Sequence, residues 1–300
     1  MLLKLFLLLL FLSPLPSLAS MYRVALVVDP EDSQSFSSAP LAVSGLKKAE
    51  SEYNVFYQVI DIVKDPQYMK SLRVLAEKNF DLILGVGPRA TDAVCLLSPQ
   101  YPSIAFTIVE GDCDSSSSIK RTIFDHKSLG ELLTKFVQIG SGQKGRVAWV
   151  EQQSSPVWNE IQNLVKKTYP NLEVYSLDKD QLIPLASKLS GSRYGAVIVL
   201  AGDRLQKGWA RAWTGKAAVL YSGPGANGSM RLIKNVDEVV YSEISKVVRG
   251  EKQKSLVTYG FDNGGLSLSA SKGNTKQKTK YKEVFDLARR MSISKPILQN

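Results

Sequence analysis

Apolar runs of strand length alternate with stretches patterned as amphipathic helices along most of the chain, and no other feature narrows the possible folds so far. Residues 23–29 (RVALVVD) are apolar at every position from Val24 to Val28. A strand apolar at consecutive positions is buried on both faces, as in a parallel sheet covered by helices on either side. A helical pattern follows over 38–53, with Leu41, Leu46 and Ala49 on its inner face. Strands are expected over 54–60, 80–86 (FDLILGV) and 103–109, with helices over 66–79 and 89–97 between them. The rhythm then restarts. It predicts a helix over 129–139, a strand over 146–151, a helix over 157–168, a strand over 172–176 and a helix over 181–189. A strand over 196–201 (AVIVLA), a helix around 209–213 and a strand over 217–222 complete the second series. A long helix over 236–249 carries Val236, Val239, Val240, Ile244 and Val247 on one stripe. Alternation of this kind predicts parallel sheets covered on both faces, and the restart near residue 127 predicts two of them. A length of 300 residues is enough for two domains of ordinary size.

The N-terminus stands outside this rhythm. One charge at Lys4 precedes an apolar run from Leu5 to Leu12, which Ser13, Pro14 and Pro16 break. Ser17 and Ala19 then supply small residues at the −3 and −1 positions of a signal-peptidase site. This is the layout of a secretory signal peptide over 1–19, and the run is shorter than the roughly 20 apolar residues of a membrane span. Cleavage would leave Ser20 first; an uncleaved N-terminal anchor is the alternative. No cysteine directly follows the run to take a lipid, so a soluble periplasmic product is expected.

The formal charge of +10 is scattered rather than clustered. Its densest stretch, 272–282 (KGNTKQKTKYK), is interleaved with polar residues and reads as a solvated loop or a helix start. Export and the lack of a recognisable module speak against nucleic acid as a partner. Cys95 and Cys113 are the only cysteines and could pair in an oxidising compartment. Cys95 lies in an apolar helical stretch and Cys113 in a loop, so unpaired thiols are the expectation. His126 is the only histidine, which removes His-rich metal sites and most nucleophile–base triads. Ser35 and Ser37 lie near Asp32 without a positioned base. Residues 223–228 (GPGANG) lack the Lys and Ser/Thr of a phosphate loop and the spacing of a dinucleotide fingerprint, and read as a turn. No enzyme activity, cofactor or metal is expected.

Four stretches in order resemble the basic membrane protein family of periplasmic binding proteins, which is similar to the nucleoside receptors of ATP-driven importers. Residues 24–48 (VALVVDPEDSQSFSSAPLAVSGLKK) resemble the family's first strand, its ligand loop and its first helix. Residues 80–111 (FDLILGVG…YPSIAFTIVEG) are similar to its third strand, helix and fourth strand. Residues 145–150 look like the entry strand of the second lobe, and 231–266 like the closing helix and return segment. The resemblance implies two doubly wound α/β lobes of the type I periplasmic-binding-protein kind, joined by three hinge crossovers. The first lobe would take residues 20–126 with a return segment near 256–275. The second would take 127–255 with a C-terminal segment near 276–300. The ligand would sit in the cleft, at the carboxyl ends of the strands, with lobe closure as the working motion.

The resemblance also implies the binding residues. A nucleoside offers a flat base, held by aromatic faces, and a polar sugar, held by carboxylates and amides. Phe36 matches the family's stacking Phe, and Trp209 an aromatic at the start of a second-lobe helix, where core packing is the alternative. Trp158 and Trp213 are weaker candidates because each also fits a buried stripe. Glu110 ends a first-lobe strand where the family has Asp. Asp29 ends the first strand and would face the cleft or cap the next segment. Ser37, Ser222 and Asp262 stand where the family has Asn, Asp and Lys, and residues 202–206 (GDRLQ) replace its Gly-Gly-Thr-Gly loop. These departures shorten polar arms and reverse one charge. The expected function is therefore an extracytoplasmic solute-binding protein of an ABC-type importer, taking a small nucleoside-like ligand and docking on a permease in the inner membrane. A sensory protein of the same fold without a permease, a surface adhesin and a hydrolase are the alternatives.

Overall fold

The computed structural model describes residues 21–29, 38–113, 119–142, 145–152, 156–201, 203–222, 230–252, 254–270 and 279–293. The first half runs β1 (Tyr22–Val28), α1 (Ser38–Glu52), β2 (Val55–Asp61), α2 (Tyr68–Glu77), β3 (Leu82–Val86), α3 (Pro88–Leu97), β4 (Ala105–Val109) and β5 (Ile119–Phe124). The second runs α4 (His126–Ser141), β6 (Arg146–Gln152), α5 (Pro156–Thr168), β7 (Leu172–Leu177), α6 (Lys179–Ser190), β8 (Tyr194–Leu200), α7 (Asp203–Ala212), β9 (Ala218–Ser222) and β10 (Met230–Lys234). The chain closes with α8 (Val236–Val248), β11 (Leu256–Tyr259), β12 (Leu266–Ala270) and α9 (Lys282–Ile293).

These strands form two six-stranded sheets, ordered β11-β5-β4-β3-β1-β2 and β12-β10-β9-β8-β6-β7. Taken strand for strand the two orders are the same, so the restart seen in the sequence is a structural repeat. Every pairing is parallel except that of β12 with β10, which runs antiparallel from Met230↔Ala270 to Lys234↔Leu266. The central strands are buried on both faces. Val24, Leu26 and Val28 of β1 pack with Leu46 of α1, while Ala25 and Val27 pack on the other face with Leu72 and Val94. The first of these clusters runs on into the second lobe through Leu133, Val147 and Trp149.

The chain crosses between sheets three times: at Asp125 between β5 and α4, at Asn235 between β10 and α8, and over 260–265 between β11 and β12. Two segments lie elsewhere than the sequence predicts. Helix α8, expected with the second lobe, packs on α1 and touches β3 of the first. It can do so because Gly45 of α1 presents bare backbone; a Cβ there would lie 2.2 Å from the carbonyl oxygen of Asp237. Strand β12, expected with the first lobe, completes the second sheet.

The cysteines also differ from expectation. Cys95 and Cys113 form a disulfide with a Cα–Cα distance of 5.8 Å, because the segment after β4 turns back over the second half of α3. A cross-link spanning 18 residues of sequence stabilises by about 3 kcal/mol in the chain-entropy account. Among the described residues, no helix is long and apolar enough to cross a membrane.

Candidate functional site: the interlobe cleft

The carboxyl ends of both sheets converge on the three crossovers, and backbone hydrogen bonds hold these crossovers side by side. Asp125 N donates to Tyr259 O at 2.9 Å, and Asn235 N donates to Gly265 O at 2.8 Å. The Asn235 amide adds a bond from Nδ2 to Gly264 O at 2.7 Å. Asp125 also caps α4, its carboxylate accepting from Ser128 N at 3.1 Å and Ser128 Oγ at 2.7 Å. Each connection therefore enters its next element with its polar groups satisfied, as a segment crossing between two cores requires.

Beside this hinge, a charge pair joins the lobes. Glu110, just beyond β4, pairs with Lys234, the last residue of β10, and their side chains are only 12% and 5% exposed. Lys234 Nζ lies 4.8 Å from the centre of the Trp158 ring and 5.3 Å from that of Phe124. The ammonium thus sits between one aromatic face from each lobe, which offsets part of its desolvation. Glu110 has φ 58°, a left-handed conformation that costs a non-glycine residue about 1 kcal/mol. Its neighbours impose that conformation. A Cβ on Gly111 would lie 2.3 Å from Thr91 Oγ1, so the turn presses on α3, and the disulfide fixes it two residues further on.

Behind Trp158, Trp149 packs edge-on with ring centres 6.2 Å apart and donates from Nε1 to Glu151 Oε2 at 2.9 Å. Burial pushes the Glu151 carboxyl above the usual range, opposed by bonds from Trp149 and Ser176. A cavity of about 490 Å³ opens next to Glu110 on the first lobe, lined by Thr91 and Asp92 of α3, by Gly111 and Asp112, by Arg121 and Ile123 of β5, and by His126.

The predicted residues are placed as follows. Phe36 and Ser37 lie outside the described residues. Asp29 is buried and binds Arg89 in a fork, accepting from Nε at 2.8 Å and from Nη2 at 2.6 Å. That fork ties the end of β1 to the first turn of α3. Glu110 is at the cleft, as described above. Ser222, buried at the end of β9, donates to Val199 O at 3.2 Å and accepts from Gln206 Nε2 at 3.1 Å, so its hydroxyl knits the ends of two strands together. Asp262 is half-buried in the third crossover, with Oδ1 close over Gly260. Trp209 requires a correction. It is fully buried among Leu182, Val199 and Tyr221, and stacks on Trp213 with ring centres 6.1 Å apart. An aromatic on the inner stripe of α7 packs on the sheet, so its ring faces the second lobe's core and not the cleft.

Sequence reasoning missed Lys234 and Phe124 and ranked Trp158 low. The available signal was a lysine ending an otherwise apolar alternation, MRLIK, directly before a helix. A second buried charge group is structural. Glu243 of α8 pairs with Lys120 of β5, and also accepts from Tyr259 at 2.7 Å and from Lys246 at 3.0 Å. Burial, reinforced by Glu243, pushes the Tyr259 phenol up to about 12. The group locks α8 onto the first sheet and lies away from the cavity. Among the described residues, no cluster of three or more His, Cys, Asp or Glu side chains could hold a metal ion.

Comparison with known proteins agrees with this architecture. Residues 23–127 match the Bmp family, described as the PnrA-like substrate-binding protein of ABC transporters. The match runs from β1 to the start of α4 and contains the resembling stretches 24–48 and 80–111. The chain has no significant match among curated protein sequences. Among solved structures, it superposes on an ABC transporter solute-binding protein from Aeropyrum pernix K1 with a TM-score of 0.65 and 15% identity, over 91% of this chain and 92% of that one. A transcriptional activator of the comK gene from Bacillus halodurans gives 0.68 and 16%, over 91% and 99%. A 5-methylthioribose transporter solute-binding protein from Thermotoga lettingae TMO gives 0.66 and 13%, over 93% and 95%. At these identities the likeness is one of fold: two parallel-dominated α/β lobes of the type I periplasmic-binding-protein kind.

Proposed function

We propose that this chain is an extracytoplasmic solute-binding protein that captures a small nucleoside-like ligand in the interlobe cleft and delivers it to the permease of an ABC-type importer. The observation that carries this reading is the Glu110–Lys234 pair, a charged contact between lobes set between the rings of Phe124 and Trp158. Aromatic faces beside a carboxylate and an ammonium suit a ligand with a flat apolar part and several hydroxyls. Phe36, which lies between β1 and α1 in the sequence, is assigned to stack on the base, and Glu110 to accept from sugar hydroxyls. Asp29 supports the wall through Arg89. The family match over 23–127 favours a substrate-binding role, and the 5-methylthioribose bound by one structural neighbour favours a ribose-bearing solute. Residues 1–19 act as a cleaved leader, so the secreted chain begins at Ser20 and works in the periplasm.

The test is a thermal-shift screen of the chain from Ser20 against nucleosides, bases, sugars and amino acids. A ligand present at about a hundred times its Kd stabilises by about 2.7 kcal/mol. Nucleosides are expected to give the largest shifts, and Phe36→Ala to abolish them, since one stacked base is worth about 1–3 kcal/mol. A shift with sugars alone would replace the ligand and keep the receptor. A second reading, a sensory binder without a permease, is favoured by the regulator from Bacillus halodurans that shares the fold. Ligand uptake by vesicles carrying a neighbouring permease separates the two.

A further inference from the structure

Residues 110–113 follow β4 and carry the first-lobe member of the interlobe pair, and their anchorage is uneven. The Glu110 amide is fixed by the sheet, since its N–H donates to Thr122 O at 2.8 Å. With that amide held, rotation about φ swings the Glu110 side chain relative to the rest of the turn. The φ of 58° is a left-handed value that a non-glycine residue keeps only where its surroundings enforce it. Strand β4 ends at Val109, so the enforcement comes from the residues that follow.

Residues 111–113 are tied to two elements. Asp112 accepts from Cys113 N at 2.9 Å and pairs with Arg121 of β5. The side chains of that ion pair are 72% and 38% exposed, and a pair so open to water and salt holds little. The other tie is to α3, where Thr91 and Cys95 stand one turn apart on the same face. Gly111 lies so close to this face that a Cβ there would come within 2.3 Å of Thr91 Oγ1, and Cys113 is bonded covalently to Cys95. The cross-link, unlike the ion pair, is not weakened by water or salt. Both cysteines are partly exposed.

We infer that the Cys95–Cys113 disulfide is a positioning element of the interlobe site: it clamps 111–113 onto α3, keeps Glu110 within reach of Lys234, and so makes lobe closure depend on the oxidised cysteines. A dithiol reductant undoes the clamp. Its thiolate attacks one sulfur, the Sγ–Sγ bond breaks and a mixed disulfide forms; its second thiol then displaces the remaining cysteine. The two cysteines end as thiols, with the two electrons and two protons that the dithiol gives up as it becomes a disulfide. Glu110 is then free to leave the left-handed region, which turns its carboxylate away from Lys234. The effect on the lobes stands apart from any ligand, whereas the effect on affinity rests on the solute-binding reading of the same cleft.

Small-angle X-ray scattering of the chain from Ser20, before and after treatment with dithiothreitol, tests it. Reduction is expected to enlarge the radius of gyration. Cys95→Ser combined with Cys113→Ser is expected to do the same, and dithiothreitol to change that variant no further. In Lys234→Met, reduction is expected to add no increase, because the contact it acts through is already gone. Adenosine affinity, measured by calorimetry, is expected to fall about tenfold on reduction. A cross-link that only stabilises the fold would lower the unfolding temperature with radius and affinity unchanged, and that result overturns the inference. An increase in radius that persists in Lys234→Met overturns it too. So does loss of the circular-dichroism signal on reduction, which would assign the cross-link to the fold as a whole. If adenosine binds neither form while the radius responds as expected, the nucleoside reading fails and the inference stands.

Discussion

Glu173 shows how much one side chain can gather. At the edge of the second sheet its carboxylate accepts two bonds from Arg146, at 2.8 and 3.0 Å, one from Tyr194 at 2.7 Å and one from Tyr175 at 2.9 Å. The Arg146 bonds, aided by the two phenols and opposed by partial burial, hold the carboxyl down to about 2. A carboxyl lowered on folding stabilises the native state above its unfolded value and loses that contribution as pH falls through the folded one. The window is therefore from about pH 4.5 down to about pH 2. Glu173 is about a third exposed, and solvent screening limits the effect to about 1 kcal/mol. Glu173→Gln is expected to flatten that part of the acid-unfolding profile, as followed by circular dichroism; an unchanged slope would mean the cluster contributes nothing to stability. The same scale shows what was legible at the cleft. A carboxylate at a strand's end, Glu110, stands out in the sequence. Its partner lies 124 residues away, and no local pattern links the two. Trp209 misleads for a related reason: a helix's inner stripe and a cleft-facing aromatic have the same spacing until the sheet beneath is known.

Among the elements, α1 and α8 form the contact that most shapes the first lobe. Lys48 pairs with Glu238 at 3.0 Å and lies 4.1 Å over the Tyr241 ring, while Tyr53 bonds Ser245 at 2.6 Å. Gly45 at the crossing lets the backbones meet. In an ordinary helix, Gly→Ala stabilises by about 1 kcal/mol. Here the added methyl would collide with the Asp237 carbonyl, so Gly45→Ala is expected to destabilise by about 1–3 kcal/mol. The sign of the change in urea midpoint decides between the two. Strands that are apolar throughout, such as β1, β3 and β8, were legible from pattern alone. Strands β5 (IKRTIF) and β10 (MRLIK) were not, because each buries a lysine whose acidic partner sits on another element. Helix α9 was hidden behind the lysine-rich stretch that precedes it.

At the scale of the fold, two lobes of the same strand order share stitched crossovers and the buried Glu110–Lys234 pair. The backbone bonds join neighbouring crossovers, whereas the Glu110–Lys234 contact spans the lobes. Removing one member of a buried pair costs about 3–5 kcal/mol when the other stays buried, whereas removing both charges is close to neutral. A two-lobed protein has a cheaper response than unfolding, since it can open and return the lone carboxylate to water. Lys234→Met is therefore expected to enlarge the radius of gyration measured by small-angle X-ray scattering. Its unfolding temperature should fall by less than the full cost of a buried orphan charge. Adding Glu110→Gln is expected to bring the radius back towards that of the unmodified protein, because the double variant no longer has a charge seeking solvent. A single variant that loses the full stability at an unchanged radius would show that the lobes are fixed to one another, and a cleft that cannot open could not serve as a receptor.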